Sequence, residues 1–274
     1  MTEPMTSAAG HGYLIRVHQP DGDPPTAGFP VIWLLDAPTT WPPMQQALNE
    51  SGSAAIVVGI DWDNDGGVDA NLRRRDFTLP ARHAIPPPRG SADDWICDGD
   101  AEAFLAFLID RVRPHCLRAL PINARRQTLA GHSLSGLFVL LALMRRPDAF
   151  GAYVAASPSL WWDEGRALAE MADADLARAH DARVLMTVGS EEQTEGPEKP
   201  PAIDGEDAAA MLGQTHMIAN ATAMAELLQS RGLSCELRLC EGEGHHSVLP
   251  WAMAAALAFA GAPPHSIQTA HRHT

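Results

Sequence analysis

Short runs of consecutive apolar residues, rich in Val, Ile and Leu, punctuate the chain, and longer stretches of helical period separate them. The runs are YLIRV (13–17), PVIWLLD (30–36), AAIVVGID (54–61), QTLAGHS (127–133), AYVAAS (152–157), RVLMTVG (183–189) and CELRLC (235–240). Several are apolar throughout rather than alternating, as strands covered by helices on both faces are, so they predict a mostly parallel sheet. Helices are predicted at about 100–113, 134–146, 164–178, 208–231 and 250–260. Asp100 is placed to cap the first and Pro114 to stop it, because proline has no N–H to continue the backbone bonds. Strand and helix in alternation define an α/β fold, and no internal repeat is visible.

Three segments break this pattern. Residues 62–96 hold four prolines and three glycines without strand or helix period, and a connection that long in a compact domain points to function. Residues 191–207 are acidic and proline-rich, an exposed excursion between strand and helix. The tail 261–274, with His265, His271 and His273, lies past the last element and is expected to be loose. The expected organisation is one domain over residues 1–274, with its core at about 12–260.

Charge narrows the partners. The formal net charge is −14, which argues against nucleic acid and anionic membrane surfaces, since both need a basic footprint. Lys199 is the one lysine, which leaves little room for a Schiff-base mechanism. No signal-like N-terminus or long apolar span is present, so a cytoplasmic protein is expected. Cys97, Cys116, Cys235 and Cys240 form no CxxC pair or zinc-ligand spacing and read as idle thiols; no metal and no cofactor is expected.

The strongest local chemistry is TLAGHSLSGLFVLLAL. A strand ends at Ala130, a tight turn follows, and a helix begins near Leu134: the strand, sharp turn and helix that lift a nucleophilic serine, Ser133, above a sheet edge. The turn needs small flanking residues, and Gly131 supplies one; the second glycine of the usual G-x-S-x-G is Ser135, with Gly136 one place on. An α/β-hydrolase then places an acid after a later strand and a histidine after the last. Strand 183–189 is followed at once by Glu191 and Glu192, with Asp204 and Glu206 further along the same loop. Strand 235–240 leads into a glycine-rich loop with His245 and His246, either of which can serve as base. The roles this order suggests are attack by Ser133, proton transfer through His245, and orientation of the imidazole by Glu192. The N–H of Leu134 would supply half of an oxyanion hole, and the Asp36–Ala37 loop, through Ala37, the other half.

Taken together, PVIWLLD (30–36), RRRDFTLP (73–80), GHSLSGLFVL (131–140), SPSLWW (157–162), GSEEQ (189–193) and GEGHHSV (242–248) resemble the esterase family that includes the siderophore esterases, over about residues 12–260. Those enzymes hydrolyse ferric enterobactin and salmochelin, and the wider family holds S-formylglutathione hydrolases, feruloyl esterases and mycolyltransferases. The resemblance implies a single-domain α/β-hydrolase that cleaves carboxylic esters, without cofactor, in a small-molecule substrate such as a ferric siderophore. It carries the nucleophile onto Ser133, the histidine onto His245 and the acid onto Glu192, although some members work with a Ser–His dyad. His246 stands where the family has a small residue, and Leu79 is inserted between Thr78 and Pro80. The family's arginine falls on Arg73, with Arg75 beside Asp76.

Arg73, Arg74 and Arg75 are thus candidates for a local basic patch that the acidic chain otherwise lacks, since guanidinium groups bind anionic oxygens and stack on aromatic rings. Trp162, after SPSL, is a candidate pocket wall for an aromatic group, or else core cover. The alternatives are a general carboxylesterase or feruloyl-type esterase, an S-formylglutathione hydrolase, and a binding protein on a hydrolase scaffold whose catalysis has lapsed. Oligomeric state is left open.

Overall fold

The structure, a computed structural model, describes residues 1–64, 67–82, 99–192 and 216–262. Its strands are β1 (Thr2–Thr6), β2 (Gly12–His18), β3 (Phe29–Leu34), β4 (Ile56–Trp62), β5 (Ile122–His132), β6 (Ala152–Ala156), β7 (Arg183–Gly189) and β8 (Ser234–Cys240). They form one sheet in the order β1-β2-β4-β3-β5-β6-β7-β8. β2 pairs antiparallel with both β1 and β4, and every other pairing is parallel. All seven apolar runs are strands, and β1 is an eighth that the apolar pattern misses, because TEPMT is polar and largely exposed.

Among the described residues, eight α-helices flank the sheet: α1 (Ala37–Ser51), α2 (Ala70–Phe77), α3 (Ala101–Phe107), α4 (Arg113–Ala119), α5 (Leu134–Arg145), α6 (Trp162–Asp173), α7 (Met217–Ser230) and α8 (Leu249–Gly261). Alternate side chains of one strand serve opposite layers. Val31, Trp33 and Leu35 join the core that includes Phe104, Phe138 and Met224, while Ile32 and Leu34 join the other, with Met44 and Leu48 of α1 and Met253 and Leu257 of α8. Both faces of β3 and β4 are therefore dry, which is why their sequences are apolar without alternation. α5 runs buried from Leu134 to Met144, which suits its uninterrupted apolar sequence.

Several expectations need correcting. Pro114 does not end the helix that begins at Ala101: a π-helical segment, Leu108–Val112, joins α3 to α4, and Pro114 lies in the first turn of α4. The wider turn accommodates a residue that cannot donate to the carbonyl four places back. Asp100 stands at the N-cap of α3, but its side chain makes no cap hydrogen bond. In α6, Asp163, Glu164 and Gly165 have left-handed backbone angles, so the regular helix starts after them. Residues 62–96 are not without order: Asp69 caps α2 by accepting from the N–H groups of Asn71 and Leu72. The rest of the 191–207 excursion after Glu192, the start of the 208–231 helix, Cys97 and the tail from 263 onward lie outside the described residues. Cys116, Cys235 and Cys240 are free thiols.

Candidate active site

Parallel strands deliver their following loops to one edge of a sheet, and there the loops after β5, β7 and β8 meet. Ser133 occupies the turn between β5 and α5 with φ 60° and ψ −116°, a conformation costly for any residue but glycine. Its N–H donates to the Ala156 carbonyl at 2.9 Å, which pins the turn to β6. A Cβ at Gly131 would lie 2.5 Å from the Ser135 carbonyl oxygen and one at Gly136 2.7 Å from that of Ala156, so the turn closes only with glycine at both. The spacing departs from G-x-S-x-G because the second close approach falls at 136, while the Ser135 side chain fits in the buried space between.

His245 Nδ1 lies 2.8 Å from Glu192 Oε2, and His245 Nε2 lies 2.9 Å from Ser133 Oγ. The Glu192 carboxylate is buried and accepts hydrogen bonds there, so the imidazole carries its proton on Nδ1 and turns a lone pair on Nε2 toward the Ser133 hydroxyl. Glu192 Oε1 accepts from the Gly189 N–H at 2.7 Å and from Ser157 Oγ at 2.5 Å. Two donors on one oxygen and an imidazole on the other hold the carboxylate in a fixed orientation. Ser157 itself has φ 40°, a further strained non-glycine residue at this edge. Ser159 Oγ is 3.2 Å from Ser133 Oγ, and because the Ser133 proton points to His245, Ser159 is the donor. Ser157 and Ser159 carry no signal in the sequence beyond the SPS segment itself, because nothing in a local pattern says which loop serines will face the turn.

The structure separates the histidines and carboxylates that the sequence left open. His246 is exposed, with its ring edge-on to His245 at 5.4 Å. Glu191 is also exposed, while Glu192 turns inward; Asp204 and Glu206 lie outside the described residues. Leu134 and Ala37 open α5 and α1, and the N–H groups of a first helical turn have no acceptor within their own helix.

The arginine triplet is not brought together as a basic patch, because successive residues of α2 face different ways. Arg73 turns to the site: its Nε donates to Asp36 Oδ2 at 2.9 Å and its Nη2 lies 2.8 Å from the same oxygen. Burial pushes the Asp36 carboxyl above the usual carboxylate range, and Arg73 opposes that shift. Arg74 is buried with its guanidinium 4.9 Å over the Trp162 ring. Arg75 is turned away from Ser133, into a pair with Asp76 that also reaches the Tyr13 hydroxyl. Trp162 packs with Trp161 against the core, and its indole N–H has no partner among the described residues. Among the described residues, no hydrogen bond joins Trp162 or Arg75 to Ser133, and no group of three or more His, Cys, Asp or Glu is suited to a metal ion.

Sheet order, strained serine turn and hydrogen-bonded Ser–His–Glu row define an α/β-hydrolase of the serine esterase class. The chain belongs to the family described as "Putative esterase", whose model it matches over residues 6–259. It is 33% identical to ferri-bacillibactin esterase BesA of Bacillus subtilis over 269 residues, 92% of this chain and 86% of that protein. Its fold is similar to the crystal structure of the BES protein from Bacillus cereus (TM-score 0.77, 27% identity, 95% of each chain covered). It is similar to siderophore hydrolase EstA from Aspergillus nidulans as well (TM-score 0.77, 26% identity, 95% and 93% covered). The protein is a carboxylic ester hydrolase. No helix among the described residues is long and apolar enough to cross a membrane.

Proposed function

We propose that the protein hydrolyses the ester bonds of a catecholate-type siderophore and so releases its iron, with Ser133, His245 and Glu192 as nucleophile, base and orienting acid. The continuous row of hydrogen bonds from Glu192 through His245 to Ser133 carries this reading. The Ser133 proton passes to His245 Nε2 as Oγ bonds to the ester carbonyl carbon. The resulting oxyanion is received by the N–H groups of Leu134 and Ala37. His245 then gives its proton to the departing alkoxide as the C–O bond breaks, and water repeats the sequence to free the acid. Iron is cargo in this reaction, and no step requires a metal or other cofactor of the protein's own.

The substrate class is supported by the relatives, named for a ferri-bacillibactin esterase and a siderophore hydrolase, which favour it over thioesters of glutathione or feruloyl esters. Arg73, its guanidinium held by Asp36 and 22% of its side chain exposed, is the contact for an anionic catecholate oxygen. Residues 12–260 act as one hydrolase domain, and the site of action is the cytoplasm, where the free thiols Cys116, Cys235 and Cys240 stay reduced. The test is a panel of ferric and iron-free enterobactin, bacillibactin and salmochelin beside neutral aryl esters, for the wild type and Ser133→Ala. Siderophore esters turned over faster than aryl esters, with at least ~1,000-fold loss in the variant, are expected. A Ser133→Ala protein as active as the wild type would remove the nucleophile, and preference for aryl esters would remove the siderophore.

A further inference from the structure

Of the two imidazoles beside His245 that take no part in ester cleavage, His246 is exposed and His132 is buried. His132 ends β5, one residue before Ser133, and is 2% exposed. Its ring lies 4.7 Å from the ring of His245, and its Nε2 is 2.9 Å from the His245 main-chain oxygen. A carbonyl oxygen only accepts, so His132 carries its proton on Nε2. Its own main chain is gripped on both sides by Ser135, whose Oγ accepts from the His132 N–H at 2.9 Å and donates to the His132 carbonyl at 2.9 Å. Glycine, the usual residue at that place in the motif, could make neither bond.

This arrangement meets a geometric need. Ser133 follows β5 and His245 follows β8, three strand spacings away, or about 14 Å at about 4.8 Å each. The loop carrying His245 must reach back across β6 and β7, and a small drift of that loop would open the 2.9 Å gap between Nε2 and Oγ. We propose that His132 is a positioning residue that ties the His245 loop to the strand bearing Ser133, with Ser135 holding His132 in place. Burial keeps its ring neutral, and His245, Arg73 and His246 all disfavour a positive charge there, against a smaller opposite push from the His245 carbonyl. The tether therefore adds no charge beside His245 when His245 takes up the proton.

The inference rests on Ser133 and His245 being nucleophile and base, and Ser133→Ala tests that separately. In the whole chain, His132→Leu fills the buried space with an apolar side chain and loses the donor, whereas His132→Gln keeps an N–H that can reach the carbonyl. With a neutral aryl ester we expect His132→Leu to lower kcat and the fluorophosphonate labelling rate about 100-fold, with KM within about twofold, and His132→Gln to recover most of the loss. Ser135→Gly should fall between them. A folded His132→Leu protein with wild-type kcat, or His132→Gln as impaired as His132→Leu, would overturn the tether while an inactive Ser133→Ala left the nucleophile standing. Imidazole nitrogen NMR of the wild type reads the tether without any variant. A His132 ring neutral and protonated on Nε2 at neutral pH is expected, and an Nδ1-protonated ring, or one that gains its second proton no more reluctantly than an ordinary histidine, would exclude it.

Discussion

Asp36 carries a carboxylate at 1% exposure in a left-handed backbone conformation, and its Oδ2 is met by Arg73. Its Oδ1 has no hydrogen-bond partner among the described residues. Truncating one member of a buried pair strands the other, so Arg73→Ala should lower stability by about 3 kcal/mol in chemical denaturation. Adding Asp36→Asn should recover most of that, and a stability unchanged by Arg73→Ala would show the pair to be idle. His132 sets a pH dependence of its own. Its folded pKa lies well below the ordinary 6.5, so in that range the unfolded chain binds the extra proton. Its contribution to stability is complete above pH ~6.5 and is lost as pH falls toward the folded value. Between about pH 7.5 and 5.5 the wild type should lose about 1 kcal/mol more than His132→Gln, and equal slopes for the two would show that His132 protonates within the fold.

At the scale of elements, the turn between β5 and α5 is the most tightly specified. Gly136→Ala would place its Cβ 2.7 Å from the Ala156 carbonyl oxygen and 3.2 Å from Pro158 Cα, both main-chain atoms that cannot step aside cheaply. We expect a loss of about 2 kcal/mol, seen as a lowered melting temperature, and slower labelling of Ser133 because the turn and β6 must part. A variant with the melting temperature and labelling rate of the wild type would show that the turn has slack. The strands were legible because continuous apolar runs identify strands covered on both faces. α1 was not, since Pro38, Pro42 and Pro43 suppress any helical reading of its sequence. Tertiary burial outweighs that local preference: Met44, Ala47 and Leu48 close the layer against α8 and the sheet. α2 escaped for a different reason, its polar sequence RRRD showing no apolar stripe until each arginine is seen to have its own partner.

For the whole molecule, the net charge of −14 and the dispersal of Arg73, Arg74 and Arg75 act in the same direction. An anionic ferric tris-catecholate approaching this protein meets long-range repulsion, and Arg73, in the role proposed for it, would act on it only at contact. Raising ionic strength from about 0.01 to 0.2 M should therefore raise kcat/KM for the ferric siderophore severalfold and leave a neutral aryl ester unchanged. A fall with salt would reveal a cationic funnel at the mouth of the site.

Period and turn chemistry are local properties, so the sequence alone determined the α/β class, seven of the eight strands, the serine turn and the chain order of serine, acid and histidine. Tertiary structure alone brought His245 rather than His246 to Ser133, turned Glu192 inward, sent the three arginines to separate partners and set Ser135 Oγ against the His132 main chain. The row of Ser133, His245 and Glu192 depends on segments 53 and 112 residues apart meeting at one sheet edge. Strand order sets that meeting, and no spacing along the chain encodes it.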